Sequence, residues 1–110
     1  KRDWVYVEDV VQAYIGVGDA LMDSNIKVSD AYNFSSTDYL SVSDIYEKLV
    51  YKFSDDFINP LIQEKSEFEI KDQYLSSKKI NDELGIIPQF NIDSGLEKSV
   101  SWYKSYIKNI

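Results

Sequence analysis

The chain has 110 residues, with 12 Lys and Arg against 19 Asp and Glu and no His, which gives a net charge of −7 at neutral pH. Without His or Cys there is no Ser-His-Asp triad, thiolate nucleophile, Cys-His zinc site or disulfide frame, so any chemistry falls to carboxylates, Lys, Tyr and hydroxyls. The acid excess repels phosphate backbones overall, which argues against nucleic acid as a partner.

A hydrophobic share of 44% with 28% charged residues fits one small globular domain, residues 1–110, with a modest core. The longest uncharged runs, 10–18 and 84–92, hold nine residues each, whereas a spanning helix needs about 20, so no membrane partner is expected. The opening Lys1-Arg2-Asp3-Trp4 is not a signal peptide, and the lack of Cys agrees with a cytoplasmic location.

In chain order, Trp4-Val5-Tyr6-Val7 reads as a strand running into a helix that starts near Glu8. Val10, Tyr14, Val17 and Leu21 form its apolar stripe, and Glu8 and Asp9 sit at the positive end of its dipole. Gly16 and Gly18 inside it suggest a closely approaching neighbour. Ala31-Tyr32-Asn33-Phe34 reads as a second strand. Ser41 to Asp44 fits a capping box ahead of a clear amphipathic helix with Val42, Ile45, Tyr46, Leu49, Val50 and Phe53 on one face. Phe57-Ile58 and Leu61-Ile62 flank Asn59-Pro60 and suit an edge strand or loop, since Pro lacks a donor. Asp55-Asp56 before them is read as a solvated loop. A short helix follows between a Ser76-Ser77 cap and Gly85, and the last helix begins at Asp93 and is expected to bury Leu96, Val100, Tyr103 and Ile107.

Four stretches then carry a family likeness: Arg2 to Val11, Ala31 to Phe34, Gln73 to Lys79 with Glu83-Leu84-Gly85, and Gly95-Leu96-Glu97 with Trp102-Tyr103. In order and spacing they resemble the C-terminal part of the NAD-dependent sugar-nucleotide epimerases and dehydratases, the extended short-chain dehydrogenases. Gln73 to Ser77 looks most like the CDP-glucose 4,6-dehydratase branch, as does Ser76, where the wider family has Asp. The resemblance implies an α/β fold: the C-terminal substrate-binding lobe of a Rossmann-type enzyme, built of short strands and several helices. Relatives are roughly three times longer. Their N-terminal half holds NAD on a Gly-rich loop, which Gly16, Gly18, Gly85 and Gly95 do not form. The chain is therefore expected to be a piece of a longer enzyme, cut by design or by proteolysis. In the whole enzyme a Tyr and a Lys of the other half would move a proton at the sugar 4-hydroxyl while hydride passes from C4 to NAD. The implied partners are a nucleotide-diphosphate sugar, the Rossmann half and a further copy of the enzyme. The segment alone is expected to have no turnover. A reading from another class is a self-contained, non-catalytic binding or interaction module with its own complete core.

No catalytic and no metal-binding residue is expected here. By the resemblance, Arg2 matches a diphosphate contact, for which a rigid guanidinium fork is suited, the alternative being a solvated charge. Gln73 and Tyr74 would line the far side of the sugar-nucleotide pocket. Where many relatives carry a second Arg, Gln63 to Glu67 has none, and Lys65 or Lys71 would stand in as point charges. Tyr74 and Lys78 match the Tyr-x-x-x-Lys spacing of the superfamily, but extended backbone before a Ser cap is the wrong place for that helical pair. Asp3 and Asp9 read as a turn residue and a helix N-terminal charge. Tyr6, Tyr14, Tyr46, Tyr51, Trp102 and Tyr103 read as core or lobe-interface aromatics.

Overall fold

In the computed structural model, residues 1–27, 29–54, 59–63 and 67–109 are described. Their elements are β1 (Arg2–Asp3), α1 (Val7–Met22), β2 (Tyr39–Leu40), α2 (Val42–Phe53), α3 (Lys78–Leu84) and α4 (Ile92–Lys108). The strands are antiparallel, with Arg2 opposite Leu40 and Asp3 opposite Tyr39, and Gln73 adds a single parallel bridge to Arg2.

The first strand therefore lies two residues earlier than Trp4-Val7 predicts. Trp4 still follows the ladder, its amide donating to the Asp38 carbonyl at 3.1 Å and its indole N–H to that of Leu40 at 2.9 Å. Tyr6 then caps α1, its carbonyl accepting from the Asp9 amide at 3.0 Å, so the ladder cannot continue. The strand expected at 31–34 does not form, because this stretch bonds to the 75–79 segment largely through side chains. Ser35 donates its amide to the Ser77 hydroxyl at 2.7 Å and its hydroxyl to the Leu75 carbonyl at 3.1 Å, and Lys79 donates to the Ala31 carbonyl at 2.9 Å. Leu61-Ile62 form no strand and are exposed; Asp55 to Ile58 lie outside the described residues.

Helix ends follow the sequence closely. Ser41 and Asp44 make the expected capping box on α2, the Asp44 amide donating to the Ser41 hydroxyl at 3.1 Å and the Ser41 amide to the Asp44 carboxylate at 2.8 Å. Gly85 ends α3 at φ 65°, a left-handed conformation that glycine takes without strain. Ser77 precedes α3, but its hydroxyl makes no cap; it donates to the Ser35 carbonyl at 3.1 Å instead. Asn91 and Ser94 form a second capping box on α4.

Among the described residues the buried apolar core is small: Ala13 and Ala20 of α1, Ile45 of α2 and Ile80 of α3, the last only 1% exposed. Ile80 faces Val10, Ala13 and Val17 across a gap of about 300 Å³ that Tyr32 and Phe34 also border. Ile86 lies against Gly16, where a Cβ would come within 2.6 Å of its Cδ1, so one of the two interior glycines does serve a close neighbour. Helices α2 and α4 are clasped by Asp93, 3.2 Å from both Lys48 and Lys52.

Two expected apolar faces are only partly covered: Val10 and Val17 of α1 and Leu96 and Val100 of α4 are half-buried. Tyr14 is 78% exposed, and Tyr103 and Ile107 of α4 are exposed as well, although the helical spacing places them inward. Tyr51 and Trp102 are exposed too, so these aromatics are not core of this chain. The physical reason is a shortage of partners: the radius of gyration is 17.3 Å, against about 13 Å for a compact chain of this size.

Candidate functional site

A cleft of about 1050 Å³ opens between three walls: residues 35–39, the 74–78 stretch entering α3, and the 86–91 loop entering α4. Two carboxylates of the N-terminal segment hold two of these walls. Asp3 accepts the Leu75 amide at 2.5 Å, and Asp9 accepts the amides of Gln89 at 2.8 Å and Phe90 at 3.0 Å. The third wall is fixed by Ser36, whose hydroxyl donates to the Trp4 carbonyl and accepts the Asp38 amide at 3.0 Å. At the rim, Tyr39 and Tyr74 meet edge to face with ring centroids 5.3 Å apart. Polar groups inside the cleft come from Ser and Thr hydroxyls, Lys78, Asn81, Gln89 and Asn91 and from the carboxylates of Asp3 and Asp38, a set that can hydrogen-bond hydroxyl-rich ligands.

Of the residues singled out by the sequence, Tyr74 lines this cleft directly. Arg2, Lys71 and Gln73 gather beside it: the Gln73 amide donates to the Lys1 carbonyl at 3.0 Å, and the Arg2 guanidinium donates to the carbonyls of Lys1 at 2.9 Å and Lys71 at 3.3 Å. Arg2 also lies 3.6 Å from Glu69, so its fork is occupied by the protein's own oxygens. Lys65 lies outside the described residues. Asp3 and Asp9, read from sequence as a turn residue and a helix-end charge, are the residues that spacing missed; only their long-range partners reveal them.

The resolved pKa shifts follow from local hydrogen bonds and loss of solvent. Loss of solvent and a hydrogen bond to Asp72 push the Tyr39 phenol up, and loss of solvent with a hydrogen bond to Glu83 pushes Tyr32 up to about 12. Hydrogen bonds to Ser41, Tyr39 and Lys48 respectively hold Asp44, Asp72 and Asp93 below the usual carboxylate range. Lys78 is raised by its hydrogen bond to Asp82. Tyr74 lies outside any helix and Lys78 is paired with Asp82, so the Tyr-x-x-x-Lys spacing does not form the superfamily's helical pair.

Of the glycines, Gly16 and Gly18 lie within α1, Gly85 ends α3 and Gly95 is inside α4. Among the described residues no cluster of three or more acidic groups could hold a metal ion, and no helix is long and apolar enough to cross a membrane.

Over 109 residues the chain is 29% identical to the CDP-glucose 4,6-dehydratase of Salmonella typhimurium, a match that covers 97% of this chain and 30% of that protein. It is a distant relative of sugar dehydratases and epimerases. The chain spans less than a third of the length of that enzyme. No protein-family model and no solved structure matches it.

Proposed function

We propose that this chain is the nucleotide-sugar-binding portion of an NAD-dependent dehydratase or epimerase of the CDP-glucose 4,6-dehydratase type. The observation that carries the proposal is the match just described, nearly complete along this chain and partial along an enzyme whose name states its substrate. The cleft supports it with hydroxyls and amides for a sugar and the exposed Tyr74 ring for a base. Arg2 and Lys71 beside it would meet the diphosphate, Arg2 exchanging its carbonyl partners for phosphate oxygens, with Gln73 next to them and Lys65 as a further charge. The work of these residues is orientation: fixing the sugar where a separate set of groups can react with it. NAD would be held by polypeptide outside this segment, and so would the proton-transferring residues.

The outward apolar surface supports the same reading. The accessible surface is 8968 Å², against about 6300 Å² for a compact protein of this mass, and an excess of that size is what removing a packed partner lobe would expose. The test is turnover. The full-length protein carrying this segment, given NAD and CDP-glucose, UDP-glucose or dTDP-glucose in turn, is expected to form a 4-keto sugar or an epimer from one of them. The 110-residue chain is expected to form none. Product from the isolated chain, or none from the full-length protein with any of the three, overturns the proposal and leaves the self-contained binding module.

A further inference from the structure

We infer that Asp9 is a positioning residue: its buried carboxylate holds the 86–91 wall of the cleft in place and so sets the affinity for the ligand, which on the reading above is a nucleotide sugar. Asp9 is 3% exposed, and among the described residues it forms no ion pair; its two oxygens are taken up by successive backbone amides, Gln89 at 2.8 Å and Phe90 at 3.0 Å. A carboxylate is expensive to bury without a cation unless such donors and a helix N-terminus supply the compensation, and Asp9 in the first turn of α1 has both.

The arrangement makes α1 the ruler for the loop. Ile86 is seated against Gly16, two turns further along the same helix, and Phe90 packs edge to face on Tyr6, the residue that caps it, at 4.8 Å between centroids. Gly85 lets the chain leave α3 and Asn91 starts α4, so the loop is attached to α1 near both of its ends. Of these attachments the Asp9 pair is the most directional, since it fixes two consecutive peptide planes. Gln89 and Phe90 both line the cleft, and the Tyr74 wall opposite is held independently by Asp3. Release of the Asp9 bonds would therefore widen one side of the cleft while leaving the other in place.

The test replaces Asp9 in the full-length protein. In Asp9→Asn one acceptor oxygen becomes an NH₂ group that faces a peptide N–H, whereas Asp9→Glu keeps both oxygens. The Gln89 and Phe90 amides are expected to be protected from hydrogen exchange in the unaltered protein and to exchange at least about tenfold faster in Asp9→Asn, with α2 unchanged. The KM for the nucleotide sugar is expected to rise roughly tenfold in Asp9→Asn, by more than kcat falls, and Asp9→Glu to recover part of both effects. Rapid exchange of the two amides in the unaltered protein, or Asp9→Asn with unchanged KM, overturns the inference. Should Asp9→Asn not fold, the exchange in the unaltered protein and the KM of Asp9→Glu decide between these outcomes. A protein that turns over no nucleotide sugar defeats the functional reading alone, since the exchange measurement judges the clamp without substrate.

Discussion

Asp93 lies between Lys48 and Lys52 and ties α4 to α2, so it ought to make the fold acid-sensitive. Hydrogen bonds to Lys48 and Lys52 lower its pKa, and those to Ser41 lower that of Asp44 in the α2 cap. A folded value below the unfolded one, about 3.9, means stability that is complete above that pH and is lost as pH falls through the lowered values. Helical circular dichroism should therefore hold down to about pH 4 and decline below it. Lys48→Met with Lys52→Met should weaken that decline; an unchanged acid limb would show that the clasp is not responsible. At Ile80, the most buried side chain, truncation to Ala should cost about 2 to 4 kcal/mol, read as a lower denaturation midpoint.

Helix α1 shows why one helix can be legible in sequence and still be misread on its faces. At about 100° per residue, Val7, Val11, Tyr14, Ile15, Leu21 and Met22 occupy an arc of about 120°, and all six are exposed. The opposite side, with Asp9, Ala13, Gly16 and Ala20, is the side that packs. Only Glu8, Gln12 and Asp19 make a polar strip between the two, and a helix this apolar on both sides is built to be covered on both. Val11→Lys with Ile15→Glu should reduce dye binding and self-association of the isolated chain while lowering the activity of the full-length protein. Improved behaviour with full activity would mean that nothing packs there. The α2 cap is a local matter by contrast: Ser41→Ala should destabilise the chain by about 1 kcal/mol, visible as reduced helicity on heating.

At the scale of the molecule, the four buried apolar side chains among the described residues, against many exposed ones, give a core too thin for the surface it carries. Small-angle scattering of the isolated chain should either return a radius near 17.3 Å or show association that hides the apolar faces. A compact monomer near 13 Å, with no tendency to associate, would favour the self-contained module.

What the sequence determined by itself is the set of features written in neighbouring residues: where α1, α2 and α4 lie, the Ser41–Asp44 box, the Gly85 stop and the order of the motifs. Helix periodicity and caps depend on residues within one or two turns, so they survive without knowledge of the rest. Tertiary structure alone decided which face of α1 is packed, why Ala31 and Ser35 bond to Lys79 and Ser77 instead of the stretch forming a ladder, and what Asp3 and Asp9 do. Each of these depends on partners 42 to 80 residues away, such as Leu75 for Asp3 and Gln89 for Asp9, and no local pattern encodes a partner at that distance.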